Sequence, residues 1–212
     1  MPALAILMHE LSGLVSSWLV RLWLIATAVT TFLIVAGNWT RMESALLIAI
    51  VLATYLVFPW FFVVIVLGIS PLTGPRLDAL ADGILSRPVT RYEYLLTAWL
   101  ARVLAVLAVF LVVTLPAMLL IVFARRPPAD DGVTFYGMVA ALFVVALVLT
   151  FLVTLAFCMG TLLRNAWLAT VLLVFVWYPV NFVLHTFALE EFSPISLSQA
   201  LQIGRASCRE RV

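Results

Sequence analysis

The chain contains no lysine, has two cysteines in 212 residues, and is only 10% charged. A soluble domain is typically about a quarter charged, so the shortage of charge argues against a soluble globular protein. Apolar residues take the place of charge: 66% of the residues are hydrophobic, and the mean hydropathy is +1.22. Because a soluble domain of this length must cover its surface with polar groups, the apolar excess has to face lipid. The composition therefore predicts an all-α, polytopic integral membrane helix bundle.

Several catalytic and binding motifs are also absent from the sequence. Without a Gly-x-x-x-x-Gly-Lys-Ser/Thr loop, the chain has no P-loop for ATP. It has no His-Glu-x-x-His zinc motif, no Gly-x-Ser-x-Gly nucleophile and no cysteine pair with metal-ligand spacing. We therefore predict no catalytic residue, no metal and no cofactor, and we predict that the chain is not an enzyme. Its arginines lie at predicted helix ends instead of forming a basic patch, so nucleic acid is not an expected partner.

The last ten residues, IGRASCRERV (203–212), differ in character from the rest of the chain. The codons ATC GGA AGA GCG TCG TGT AGG GAA AGA GTG encode this peptide and reproduce a common short-read sequencing adapter. We interpret 203–212 as adapter read-through, which is set aside in fold reasoning as a fusion scar would be. The native domain is then 1–202, an incomplete transmembrane domain, and we expect the natural protein to continue past Gln202. Cys158 is the one cysteine in that domain.

Five apolar segments are long enough to cross a bilayer, which takes about 20 helical residues. They are approximately 18–36, 44–75, 102–123, 133–163 and 166–189. Residues 1–17 precede them and predict an amphipathic helix at the membrane surface.

Two local signals predict how the second span is built. Thr40 and Glu43 have the spacing of a capping box, which places the start of that span near Arg41. Pro59 is expected to kink it, because proline removes a backbone hydrogen bond. Near the end of the domain, Ser196 and Gln199 form another possible capping box, as though a sixth span follows.

Arginine placement predicts the orientation, because cytoplasmic ends of spans carry an excess of basic residues. With the N-terminus in the cytoplasm, six arginines are inside and three are outside. The inside set is Arg21, Arg76, Arg87, Arg91, Arg102 and Arg164, and the outside set is Arg41, Arg125 and Arg126. The lack of lysine, together with abundant Ala, Leu and Val, indicates a GC-rich bacterial genome. We therefore expect a multi-pass protein of the bacterial cytoplasmic membrane with its N-terminus inside.

The connection between the second and third predicted spans contains the signals of two consecutive helices separated by a proline break. Five apolar side chains fall on one face of a short predicted helix that begins near Pro75; they are Leu77, Leu80, Ala81, Ile84 and Leu85. Arg87 precedes Pro88, which disfavours helical geometry and ends that helix. Thr90 and Glu93 then form a capping box that starts the next helix. An amphipathic helix in the cytoplasm needs lipid or a partner protein to cover its apolar face.

The run ILSRPVTRYEYLLTAWLAR (84–102) resembles the corresponding segment of ABC-2 type transporter permeases. The resemblance implies that this region is the coupling helix, which docks into a separate ABC ATPase subunit that hydrolyses ATP. The coupling residues that it implies are Leu77, Leu80, Ala81, Ile84, Arg87, Pro88 and Arg91. It further implies six spans, a second permease subunit in a homo- or heterodimer, and export as the direction of transport. Nothing in the sequence selects a substrate.

Other interpretations remain open at this point. The chain could be the membrane subunit of another transporter class, such as a haem-exporter-like protein, or a non-transporting membrane scaffold, with the 84–102 segment as an ordinary capped loop. An integral membrane enzyme would need paired ionisable residues at one depth, and the sequence offers none.

Three polar or aromatic residues of the fifth predicted span share one helical face: Trp177, Asn181 and His185. Polar groups within a span face a neighbouring helix or a water-filled path. These residues therefore either line a substrate path or pack between helices. Gly137 and Ala141 have a small-xxx-small spacing, which favours close helix packing.

Overall fold

A computed structural model describes most of the chain, and its described residues form seven helices and no strand. The described ranges are 2–57, 59–69, 91–124, 135–163 and 165–186. The helices are α1 (Pro2–Ser16), α2 (Trp18–Gly37), α3 (Ser44–Thr54), α4 (Trp60–Ile69), α5 (Arg91–Phe123), α6 (Phe135–Leu162) and α7 (Ala166–Thr186). The all-α prediction is confirmed for this part of the chain.

Within the described ranges, three helices are long and apolar enough to cross a membrane. They are α2 with 20 residues, the Tyr92–Phe123 part of α5 with 32, and α6 with 28. Large apolar side chains cover their surfaces: Phe32 is 70% exposed, Phe123 78% and Phe143 64%. Exposed apolar surface on this scale suits lipid and not water. The prediction of a membrane protein is therefore supported at the level of its helices.

Helices α1 and α2 are separated by a single bend at Ser17. The backbone N–H of Ser17 donates to the carbonyl of Leu14 at 3.1 Å, which closes the end of α1. The guanidinium of Arg21 reaches back, and its Nε donates to the carbonyl of Val15 at 3.4 Å. The last carbonyls of a helix have no intrahelical partner, so a cation near them is favourable. The helix predicted over 1–17 is present, and it meets α2 without an intervening loop.

The start of α3 differs from its prediction. The helix begins at Ser44, and its N-cap is Glu43, which makes no side-chain capping hydrogen bond. Thr40 and Arg41 lie before it, in a turn where the N–H of Met42 donates to the carbonyl of Asn38 at 3.3 Å. The Thr40–Glu43 capping box and the helix start at Arg41 are therefore wrong. Residues 38–42 form a turn after α2, so α3 begins only at Ser44.

At Pro59 the structure has a complete break instead of a kink. Helix α3 ends at Thr54 and α4 begins at Trp60. Between them, the N–H groups of Tyr55, Leu56 and Val57 each donate to the carbonyl three residues earlier, at 3.3, 3.0 and 3.3 Å. Proline has no N–H and its ring clashes with the carbonyl four residues before it, which kinks or breaks a helix; here the helix breaks. The described part of the segment predicted as the second span holds two short apolar helices.

Helices α5, α6 and α7 follow their predicted positions. Helix α5 begins at Arg91, directly after the predicted cap at Thr90, and has Glu93 in its first turn. It continues through Pro116 as one helix. The predicted turn between α6 and α7 is also present, and the side-chain oxygen of Asn165 accepts a hydrogen bond from the N–H of Trp167 at 3.1 Å. An Asn at this position satisfies one of the free N–H groups at a helix start.

The described residues belong to two compact units. The first draws on Met1–Leu24, Phe62–Val109 and Leu149–Val176, and the second draws on Ile25–Phe61, Phe110–Val148 and Trp177–Val212. In the first unit, α4 and α6 approach closely at small residues: a Cβ added to Gly68 would lie 2.5 Å from the Cβ of Ala156. In the second, the ring of Tyr55 meets the ring of Phe110 edge-on, with centroids 5.1 Å apart.

Candidate functional site

Most of the predicted coupling residues lie outside the described residues. This applies to Leu77, Leu80, Ala81, Ile84, Arg87 and Pro88. Arg91 is the first residue of α5, and its side chain is not among those described. Their role in docking an ATPase therefore stays a prediction.

The three residues of the predicted substrate path all lie on α7. Trp177 is 9% exposed, and its ring stacks on that of Phe61, with centroids 5.2 Å apart and an interplanar angle of 28°. This contact uses the Trp177 ring for packing. Asn181 and His185 are helical, but their side chains lie outside the described residues, so the substrate path stays a prediction.

A buried ion pair in the first unit was not predicted. Arg102 of α5 has a side chain that is 1% exposed, and its Nη2 lies 3.6 Å from Oε2 of Glu10 on α1, which is 24% exposed. Nη1 of Arg102 donates to the carbonyl of Ala98, one turn earlier in the same helix. Helix α5 thus places a permanently charged group inside the unit, and α1 supplies the opposite charge.

The surroundings of Arg102 only partly satisfy its guanidinium. The group lies over the ring of Phe157 on α6, with Cζ 5.6 Å from the ring centroid, a favourable cation–π geometry. Among the described residues, its Nε is buried and has no hydrogen-bond partner. Removing a charge from water costs about several kcal/mol per ion, and good pairing is needed to offset this cost. The ion pair, the Ala98 carbonyl and the Phe157 ring therefore offset only part of the cost of burying Arg102.

A second polar contact fixes α5 to α6 next to this pair. Nε1 of Trp99 donates to Oγ1 of Thr154 at 3.0 Å. The hydroxyl of Thr154 in turn donates to the carbonyl of Thr150 at 2.7 Å. Arg102 and Trp99 are three positions apart on α5 and so lie on neighbouring parts of its surface. They anchor the same stretch of α5 to α6, and Arg102 also reaches α1.

The sequence contains a signal for this pair that the arginine-placement rule does not use. That rule predicts Arg102 at the inner membrane interface, whereas the structure buries it against Glu10. Glu10 is the first acidic residue of the chain and stands alone until Glu43. Isolated opposite charges within apolar segments tend to pair with one another. This tendency identifies Glu10 and Arg102 as candidates, although it does not select this pairing over others.

The described residues offer little chemistry beyond charge and packing. No group of three or more His, Cys, Asp or Glu among them could hold a metal ion. Cys158 is a free thiol and is exposed. The Glu10–Arg102 site can hold helices in position, and it contains no nucleophile.

Comparison with known proteins adds no assignment. No family model matches the chain, and neither a curated protein nor a solved structure matches it. The family interpretation therefore rests on the 84–102 segment and on the arrangement of the apolar helices.

Proposed function

We propose that the chain is the transmembrane permease subunit of an ABC-2 type ABC transporter, and that it acts as an exporter. The observation that carries the proposal is the 84–102 segment, in which an amphipathic stretch, an Arg87-Pro88 break and a new helix follow one another. The start of α5 at Arg91 fits this order, because the family pattern has a span beginning directly after the Arg-Pro segment. The chain has no P-loop, so the ATPase is a separate subunit.

The proposal includes five spans of an expected six. Helices α2, α5 and α6 are three of them. The fourth is α3 with α4, which have 11 and 10 residues. Each alone covers about 15 Å, half of a bilayer core of about 30 Å, so they must act in series across the break at Pro59. The fifth is α7, with 21 residues, and we expect the sixth after Gln202.

The remaining parts of the proposal concern placement and partners. Helix α1 lies at the membrane surface, as its exposed apolar residues Leu4 and Met8 allow. The arginine distribution favours a cytoplasmic N-terminus in a bacterial cytoplasmic membrane. The functional assembly contains two permease subunits in the lipid bilayer, identical or homologous, and two ATPase subunits on its cytoplasmic side.

The proposal is tested by co-expression with an ABC ATPase encoded in the same gene neighbourhood. We expect the two proteins to co-purify in detergent, and we expect ATP hydrolysis to be faster in the complex than with the ATPase alone. The control is a Walker-lysine variant of the ATPase, which should bind but not hydrolyse. If no neighbouring ATPase binds the chain, or if binding leaves hydrolysis unchanged, the proposed function is wrong.

The predicted topology gives a second test. In a background with Cys158 and Cys208 replaced by alanine, Ser86→Cys and Ala129→Cys are labelled in intact cells with an impermeant maleimide. Replacement of Cys158 is required because its thiol is exposed. We expect Ala129→Cys to react and Ser86→Cys to react only after the cells are permeabilised. The opposite pattern would place the Arg125–Arg126 loop inside and contradict the coupling role of residues 75–94.

A further inference from the structure

Helix α1 packs through a half-buried face that carries Glu10 together with the apolar residues Ile6, Leu7, Leu11 and Leu14. Of its described side chains, over residues 4–16, none is buried. Leu4, Met8 and Val15 are 59%, 62% and 56% exposed. Its C-terminal end is joined to α2 through the bend at Ser17, where Arg21 also bonds to the Val15 carbonyl. Away from that bend, the contact between Glu10 and Arg102 ties α1 to α5.

The Arg102 side of this contact makes further interactions of its own. The guanidinium is held by the Ala98 carbonyl and by the ring of Phe157. Close by, the Trp99–Thr154 hydrogen bond links α5 to α6. Glu10, with 24% exposure, remains partly open to solvent or headgroups. The contact therefore joins a buried group on α5 to a partly exposed group on α1.

Helix α5 carries Arg102 as part of one continuous rod. It runs from Arg91 to Phe123 without interruption. Arg102 lies eleven positions after Arg91, which is about 16 Å along the axis at a rise of about 1.5 Å per residue. Because both residues belong to one helix, a tilt or rotation of the start of α5 also moves Arg102.

We propose that Glu10 and Arg102 form a charge-dependent joint through which α1 follows the movements of α5. The two residues are positioning residues: they transmit the position of one helix to another. The joint operates whichever partner acts on the segment before α5, so the inference does not rest on the proposed function.

The test measures the separation of α1 and α5 in nanodiscs, without an ATPase. In a background with both cysteines replaced by alanine, spin labels are placed at Met8→Cys and Leu96→Cys, whose side chains are 62% and 63% exposed. Dipolar electron paramagnetic resonance should give one narrow distance distribution for the parent protein. Glu10→Gln keeps the size of the side chain and removes its charge. We expect this variant to lose the narrow peak and to gain a broad distribution at longer distances.

A second variant separates a joint from a merely structural contact. Glu10→Gln leaves an unpaired buried arginine, so its melting temperature should also fall. The combination Glu10→Gln with Arg102→Gln removes both charges, and we expect it to recover melting temperature relative to Glu10→Gln alone. If the charges form the joint, the distance distribution of this double variant stays broad. A narrow distribution in either variant would overturn the proposal.

The control is Thr154→Val, which removes the hydrogen bond to Trp99 beside the pair and leaves Glu10 and Arg102 intact. Its distance distribution should match that of the parent protein. Equal broadening in this control would mean that any local disturbance releases α1, and the proposal would be wrong.

Discussion

Replacing Leu80 and Ile84 together with aspartate is expected to abolish co-purification with the ATPase and transport-coupled ATP hydrolysis. The two positions are four residues apart and fall on one face of the predicted coupling helix. Burying each apolar side chain in a partner groove contributes about 1.5–3 kcal/mol. Losing both contributions removes about 3–6 kcal/mol, a decrease in affinity of about 100-fold or more, since each 1.4 kcal/mol is about tenfold. Pull-down of the ATPase and hydrolysis rates in nanodiscs measure the two effects.

Two controls distinguish a docking defect from a folding defect. The Leu80→Asp, Ile84→Asp variant should insert normally, because both positions lie outside every predicted span. The yield of the protein in the membrane fraction measures insertion. Asp78→Arg reverses a charge on the opposite face of the same predicted helix. Since a solvated ion pair contributes about 0–1 kcal/mol, this change should have a smaller effect on binding. Full assembly and full hydrolysis in the double aspartate variant would instead identify residues 75–86 as a capped loop without a docking role.

Local signals correctly predicted where two of the helices begin. The start of α5 follows from the spacing of Thr90 and Glu93, and the start of α7 follows from the polar turn at Asn165. In both cases the signal and its effect lie within one helical turn. The Thr40–Glu43 pair had the same spacing and failed, because the chain there is occupied in a turn that closes on Asn38. Capping patterns identify permitted starts, and the neighbouring chain selects among them.

The proline rule predicts a disturbed helix at Pro59, but not whether the helix kinks or breaks. The missing N–H predicts a disturbance at this position, but its size depends on packing around it. Tyr55, at the end of α3, is 1% exposed and meets Phe110 of α5 edge-on. Trp60 starts a new helix whose next residue, Phe61, stacks on Trp177. Helices α3 and α4 thus each have an aromatic contact of their own next to the break, and a pattern along one segment does not contain these contacts.

The Glu10–Arg102 pair could not be derived because its partners are remote in sequence. Charge placement relative to apolar runs assigns an arginine to a membrane interface when only its own segment is considered. The approach of α1 to α5 changes that environment. Tertiary contact, and not the local pattern, decides which of the isolated charges are buried together.

Helices α4 and α6 pack closely at residues other than the small-residue pair that the sequence analysis identified. The spacing of Gly137 and Ala141 favours close packing there, but Ala156 and Gly160 have the same four-residue spacing and make the contact. A Cβ added to Gly68 would lie 2.5 Å from the Cβ of Ala156 and 3.3 Å from the carbonyl oxygen of Val153. A Cβ added to Gly160 would lie 3.3 Å from the Cα of Ile69. Small residues let two helix backbones approach closely, which is the packing that membranes favour.

Gly68→Ala is therefore expected to destabilise the protein by about 1–3 kcal/mol, the usual cost of forcing extra volume into a packed interior. The matched control is Gly13→Ala on α1, where an added Cβ meets nothing within 4 Å. That change should be neutral or stabilise by up to about 1 kcal/mol, because alanine is the better helix former. Thermal aggregation of detergent-purified protein, followed by size-exclusion chromatography, gives the melting temperatures.

A compensating change separates the steric cost from any general effect of Gly68→Ala. Ala156→Gly removes the Cβ that the new methyl group would meet, so the double variant Gly68→Ala with Ala156→Gly should melt above Gly68→Ala alone. Residues in direct contact are expected to show such non-additive effects, whereas Gly13→Ala combined with Ala156→Gly should give the sum of its single changes. If Gly68→Ala melts like the parent protein, or if Ala156→Gly does not restore it, α4 and α6 do not approach at Gly68 in the membrane.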